Sequence, residues 1–399
     1  MEEFPVTTFV IAGGGLAGAK GAEALRDQGF DGDIVLVADE SHRPYERPPL
    51  SKDFLAGKAE RDSVFVHDEN WYAEHNVDLR LGVAATAIDR AAHQVRLADG
   101  SSVEYSKLLL ATGSSPRRFP GAEDALYLRR IGDSERIKSV IASSSRLIVI
   151  GAGWIGLEAT AAARNAGVEV TVLESAELPL LAAIGPEVAQ VYADLHRAHD
   201  VDLRFGVEVD QVNFKSVGLV DGTVLDADAV LIGIGASPNV DLAKKAGLDV
   251  DNGVLVDAGL RTSDPDIFAA GDIANATHPL LGRRIRVEHW ANALNQPAVA
   301  ATNMLDGDAT YDELPYFYTD QYDLGMEYIG DITGYDRVVF RGDVPGREFI
   351  AFWLKDNRVL AGMNVNIWDV VDPIKQLIRS GKQIDPDRLA NPEVSLEDH

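Results

Sequence analysis

The chain has 399 residues, a formal net charge of −26, 46 % hydrophobic residues and 25 % charged ones. That is the composition of an ordinary soluble globular chain of about two to four domains, and its charge argues against nucleic acid or an anionic membrane as partner. There is no cysteine, which excludes disulfides, thiolate-held iron–sulfur clusters, Cys-based zinc sites and thiol catalysis.

The first eight residues, MEEFPVTT, are acidic where a signal peptide would be basic, so the apolar run after them reads as a strand. The absence of cysteine permits a reducing compartment, and a cytoplasmic protein is expected. Residues 9–11 form a short apolar run, followed by Gly13, Gly14, Gly15, Leu16, Ala17 and Gly18. An Ala-rich helix continues to about Gln28, and a second apolar run, 34–37, leads to Asp39. The pattern is strand, glycine turn, helix, strand, acid. In such a unit Gly13 makes the tight turn, Gly15 lets a pyrophosphate approach the backbone, and Gly18 lets helix pack on strand. The helix N-terminus offers unpaired N–H groups to the phosphates, and Asp39 is placed to accept hydrogen bonds from a ribose.

The loop 43–52 holds three prolines and is stiff; Ser51 is a candidate cap for a short helix opening at Lys52. Lys52 itself reads either as a solvated loop residue or as part of the neighbouring nucleotide site. Residues 60–104 read as a mixed α/β insertion ending in a hairpin at Asp99-Gly100. A buried strand over 105–113 follows, with 114–116 as a linker.

The pattern then repeats. A strand at 146–150 precedes Gly151, Ala152, Gly153, Trp154, Ile155 and Gly156, 138 residues after the first loop. A helix runs to Ala166 with Gly167 as its stop, and a strand over 168–173 ends on Glu174. Residues 229–235 echo 108–113, so two dinucleotide-binding folds are expected. The longest apolar run, 147–157, contains three glycines and stops at Glu158, too short for a membrane span. Asn252-Gly253 is a hairpin signal. Residues 267–270 form a short buried strand, and Asp272 beyond it reads as a ligand carboxylate, a turn residue or an N-cap. Trp290, ahead of a helix over 291–305, is by residue type more often core than cofactor contact. Strands are expected at 337–340, 348–354 and 359–365, then an amphipathic helix near 370–379 and a loose tail over the last dozen residues.

GGGLAG, RPYERPPLSK, LLLATG, GAGWIGLE, TSDPDIFAAGD, VEHWANALNQ and YTDQY together carry a family. The whole chain resembles the FAD-dependent NADH:ferredoxin reductases of oxygenase electron-transfer systems. The resemblance implies an α/β fold: two Rossmann-like dinucleotide domains plus a C-terminal α+β domain. The expected segments are 1–113 and 247–322 for FAD, 114–246 for NAD and 323–399 for the last domain. It implies FAD contacts at Gly13, Gly15, Leu16, Ala17, Gly18, Asp39, Lys52, Ala85, Ala111, Thr112, Gly113, Arg129, Gly271, Asp272, Glu288, His289 and Trp290. It implies NAD contacts at Gly151, Gly153, Trp154, Ile155, Gly156, Glu158, Glu174 and Gly235, with no metal.

The same resemblance makes Lys52 and Glu158 a lysine–glutamate pair near the flavin ring, where residue type alone leaves Glu158 as a helix-surface acid. The implied partner is a [2Fe–2S] ferredoxin, or a rubredoxin, and the implied state a monomer or weak homodimer. Arg283, Arg284 and Arg286 form the candidate docking cluster on an otherwise acidic protein. Three departures stand out: Tyr318 where the family often has tryptophan, Pro297 where glycine is usual, and Trp154 for a commoner tyrosine. A redox-sensing protein of the apoptosis-inducing-factor type fits the same fold, as does a reductase of another non-thiol acceptor.

Overall fold

A computed structural model describes residues 7–399; the N-terminal targeting reading of residues 1–6 lies outside the described residues. The chain divides into two compact units. One takes the segment up to Arg47, Arg61–Ser115 and Ser237–Glu313; the other takes Pro48–Glu60, Pro116–Ala236 and Leu314–His399.

The first unit is built on a five-stranded parallel sheet in the order Ile267–Ala269, Lys107–Leu110, Thr8–Ala12, Asp33–Val37, Val77–Arg80. Ile11 pairs with Leu36 on one side and Leu109 on the other, all fully buried, as near-continuous apolar runs require in a sheet covered on both faces. The order reverses between Thr8–Ala12 and Lys107–Leu110, and ligands bind at the carboxyl ends of strands at such a switch point. Helix Leu16–Asp27 lies on this sheet, and helix Trp290–Met304 lies on that helix. Gly21 keeps the layers close: a Cβ there would be 2.7 Å from Leu109 and 4.0 Å from Pro297. The insertion after Arg61 contains helix Trp71–Glu74 and an antiparallel sheet of Ala85–Asp89, Gln94–Leu97 and Ser102–Glu104.

The second unit repeats the plan with a four-stranded parallel sheet, Asp202–Phe205, Glu169–Glu174, Arg146–Ile150, Ala229–Ile232. Helix Trp154–Asn165 follows its glycine loop. A five-stranded antiparallel sheet in the order Tyr316–Gln321, Leu324–Gly330, Arg358–Val365, Glu348–Lys355, Arg337–Asp343 completes the unit, with helix Val371–Ser380 against it. Trp353, fully buried, donates its Nε1–H to the Ile184 carbonyl at 3.0 Å and ties this sheet to helix Leu181–Ala198.

Several expectations need correction. A boundary at 322/323 would cut a hairpin, because Tyr316–Gln321 pairs with Leu324–Gly330; the chain changes unit at 313/314. The return to the first unit comes at 236/237 rather than 246/247, because Leu242, Ala243 and Leu248 join the first unit's core. Residues 48–60 belong to the second unit. The expected linker holds a short strand, Ser114–Pro116. Ser51 caps no helix; it ends the 3-10 turn Pro48–Ser51. The tail is not loose: the Arg341 guanidinium donates to the carbonyls of Leu389, Asn391, Pro392 and Val394, and Leu389 and Leu396 are buried.

Candidate functional site

In the first unit the glycine loop has the geometry its spacing predicts. Gly13 has φ of 128°, and a Cβ there would lie 2.1 Å from the Ala111 carbonyl oxygen. A Cβ at Gly18 would lie 1.9 Å from the Gly13 oxygen, whereas Gly15 has nothing within 4 Å. The loop is therefore closed on the sheet side and open above Gly15, where helix Leu16–Asp27 begins with no side-chain cap. That is the shape and polarity a pyrophosphate needs.

Around this opening the structure gathers other expected residues. A Cβ at Gly271 would be 3.0 Å from the Ala17 methyl, which places Asp272 beside the loop, its carboxylate accepting from Ser114 Oγ at 2.7 Å. Thr112 exchanges two hydrogen bonds with Asn239, and Gly113 has φ of 65°. Asp39 is exposed just past the second strand, and Val83 N–H bonds to Ala38 O, bringing the Ala85 segment to the same side. His289 is the N-cap of helix Trp290–Met304; burial pushes its imidazole down to about 4, with Asp272 opposing. Glu288 pairs with Arg286 at 2.5 Å.

Arg47 lies in the RPYERPPLSK stretch but is not among the contacts the resemblance implies. Its guanidinium bonds to Glu40 at 3.1 Å, lies over the Tyr45 ring and feels the Asp272 carboxylate. Its position in a stiff loop just after Asp39 was the available signal. Arg129 is not in this unit: it precedes helix Ile131–Ser143 in the second unit, its N–H donating to Asp133. The arginine cluster is largely spent on the fold. Arg284 donates to the carbonyls of Val256 and Asn275, and Arg286 to Asp272 O, Asn252 and Glu288. Arg283 and Arg284 are both exposed at the start of strand Arg283–Arg286, and Arg286 is half-buried.

The second unit's loop is a near copy. Gly151 has φ of 96° and would place a Cβ 2.4 Å from Gly233 O; Gly156 would place one 2.1 Å from Gly151 O. Gly153 again faces open space, with one atom at 3.9 Å. Ile155 is 43 % exposed at the helix start. Gly235, φ 97°, accepts from Arg117 N–H. The Glu174 carboxylate accepts from Ala152 N–H at 2.7 Å and Ala176 N–H at 2.9 Å, so it steadies the loop. Both loops leave the room and the uncapped helix start that a dinucleotide requires.

One turn along the second helix the structure unites Lys52 and Glu158. Glu158 is 4 % exposed, and Lys52 Nζ donates to its Oε1 at 2.5 Å. Thr319 Oγ1 donates to the same oxygen at 2.5 Å, and Ser51 Oγ donates to Oε2. The Lys52 ammonium also lies 5.4 Å from the centre of the Tyr318 ring. Burial raises the Asp320 carboxyl above its usual range, with Lys52 opposing and Glu158 and Asp53 adding to the rise. Trp154, one turn before Glu158, packs between Tyr192 and Phe317. Among the described residues no cluster fit for a metal occurs, and no helix is long and apolar enough to cross a membrane.

Residues 7–297 match the pyridine nucleotide-disulphide oxidoreductase model, and residues 316–399 match a reductase C-terminal model. The chain belongs to the pyridine nucleotide-disulphide oxidoreductase family. This family member is an oxidoreductase that, having no cysteine, works without the disulphide of the family's name. It is 42 % identical to the ferredoxin–NAD(+) reductase component of an anthranilate 1,2-dioxygenase system from Burkholderia cepacia, over 98 % of each chain. It is 40 % identical to putidaredoxin reductase from Pseudomonas putida, over 98 % of this chain and 96 % of that one. Among solved structures, it superposes on the reductase of a covalent putidaredoxin reductase–putidaredoxin complex with a TM-score of 0.94 at 39 % identity, covering 98 % of this chain and 97 % of that one.

Proposed function

We propose that the protein is a cytoplasmic NADH-dependent flavoprotein reductase that passes electrons through FAD to a [2Fe–2S] ferredoxin serving a cytochrome P450 or multicomponent oxygenase. The observation that carries this reading is end-to-end likeness to a reductase whose name gives ferredoxin and NAD(+) and to putidaredoxin reductase. The missing cysteines agree with it, since electrons have no internal thiol on which to rest.

The chemistry FAD supplies when bound is acceptance of a hydride and release of single electrons. The chain's part is to bind, orient and set charge. The loop 13–18 and its helix start hold one pyrophosphate, and Asp39 accepts from the ribose. The loop 151–156 holds the other, and Glu174 favours a ribose hydroxyl over a 2′-phosphate by charge. The start of helix Trp290–Met304 turns its positive end toward the negative charge that reduction adds. Lys52, fixed by Glu158, presents an ammonium of set direction, and Trp154 shapes the nicotinamide slot.

The test is stopped-flow mixing of the yellow holoprotein with NADH, with and without a [2Fe–2S] ferredoxin. Rapid loss of flavin absorbance, then recovery only when ferredoxin is present, is expected. A colourless protein that takes up no FAD, or reduced protein that no such ferredoxin reoxidises, refutes the proposal.

A further inference from the structure

The strand Tyr316–Gln321 presents alternate residues to opposite sides. Residues 318 and 320 face Lys52. Residues 317, 319 and 321 face the two helices beneath: Phe317 meets Trp154, Thr319 meets Glu158, and Gln321 meets His196. Thr319, Gln321 and His196 are each at most 1 % exposed, so each polar atom there must find its partner inside the protein.

Counting protons fixes the direction of every bond. Glu158 as a carboxylate only accepts, so Thr319 gives its single hydroxyl proton to Oε1 at 2.5 Å. Thr319 Oγ1 must then accept from Gln321, whose Nε2 lies 3.3 Å away. That orients the Gln321 amide with Oε1 toward His196 Nε2 at 2.8 Å, so this nitrogen carries the proton. Nδ1 is left to accept from the Tyr322 hydroxyl at 3.3 Å, and Tyr322 is stacked on His199 at 3.6 Å. All the donors run one way, Tyr322 to His196 to Gln321 to Thr319, and end on Glu158.

We infer that Thr319, backed by Gln321 and His196, is a positioning residue: this one-way chain fixes the Glu158 carboxylate, and through it the Lys52 ammonium, in the orientation that hydride transfer from NADH requires. The inference rests on the role given above to Lys52 and Glu158. Burial holds His196 neutral, its pKa lowered to about 4, with the Gln321 bond opposing. A second proton on Nδ1 would reverse only the bond to the Tyr322 hydroxyl, which can also accept, and would leave the run from Nε2 to Glu158 in place.

The experiment uses the FAD-loaded protein and reads the limiting rate of flavin reduction and the NADH Kd separately, beside thermal stability. Thr319→Val keeps the shape and removes the hydroxyl; its limiting rate should fall about fivefold or more with Kd unchanged, and Thr319→Ser should restore it to within about twofold. Gln321→Met should lose about threefold, and Thr319→Val should cost nothing further on a Glu158→Gln background. Equal slowing in the Val and Ser variants, or a full extra loss in the double variant, would show packing rather than positioning and overturn the inference. So would wild-type rates in Thr319→Val or Gln321→Met while Glu158→Gln is slow; Gln321→Met alone decides if Thr319→Val does not fold. Wild-type reduction by Glu158→Gln is a separate failure, of the pair's proposed role, and takes the inference with it.

Discussion

The two glycine loops are closely matched, yet the helices that follow them are covered differently. Lys20 and Glu158 stand seven residues after the first glycine of their loops. In the first unit that position is near the surface, where Lys20 pairs with Glu23 on its own helix at 2.6 Å. The cover there is the helix Trp290–Met304, packed through Gly21. In the second unit the cover is the strand Tyr316–Gln321, and the position is sealed around a carboxylate with three donors. What the two units share is a loop of the shape a dinucleotide needs; where they differ is in what is laid over the helix.

The largest effects should come from the loops themselves. An alanine at Gly13 meets both a positive φ and a carbonyl oxygen, and should cost about 3 kcal/mol or more, with loss of FAD in the absorbance spectrum. Gly151→Ala meets the same obstacle in the other unit; it should keep FAD but lose saturable reduction by NADH. If both variants lose FAD, the loops do not divide the two cofactors.

Acid should loosen the strand cover. The folded pKa of His196 is lowered to about 4 from an ordinary 6.5, so between those values the unfolded chain binds more protons. Stability is therefore full above about pH 6.5 and falls on acidification toward 4, by up to about 3 kcal/mol. Urea unfolding at several pH values should show this slope, and His196→Gln should flatten it.

The equivalent positions give the sharpest contrast. Glu158→Gln or Lys52→Ala should slow flavin reduction about 10- to 100-fold, equal to about 1.4 to 2.7 kcal/mol. Lys20→Ala removes a surface pair worth about 0.5 kcal/mol or less and should reduce at the wild-type rate. Next in size, Glu174→Arg should erode an NADH preference by about tenfold, or about 1.4 kcal/mol, read as kcat/KM for the two coenzymes. Smallest, Arg283→Glu should leave reduction of a small neutral acceptor unchanged while flattening the salt dependence of ferredoxin reduction. Unchanged salt dependence would place docking elsewhere.

The loops, their helices and both acids were legible because each is a local pattern, complete within about 35 residues. Glu158 was not legible from residue type. On its own helix it sits where a solvated acid belongs, and it is buried by Ser51 and Lys52 more than 100 residues before it and Thr319 more than 160 after it. The family motif supplied the Lys52 pair, but neither Ser51 nor Thr319. His196 belongs to no motif; Thr319 and Gln321 lie in the YTDQY stretch, but the resemblance gave them no role beside the pair, and the expected boundary at 322/323 parted their strand from its hairpin partner. For Arg284 and Arg286 the run of like charge gave no sign of the carbonyls that each guanidinium braces.

The interleaving of the two units bears on how the protein is made. The strand Ile267–Ala269 completes the first sheet beside Lys107–Leu110, so at about 5–20 residues per second on the ribosome that edge stays open for on the order of ten seconds or more. Meanwhile the four strands from Arg146 to Ile232 emerge in one uninterrupted piece and can pair among themselves. The sheet made second is thus the one finished first. The apolar flank of Leu108 and Leu109 must wait for its partner, an exposed strand edge of the kind that chaperones hold during synthesis.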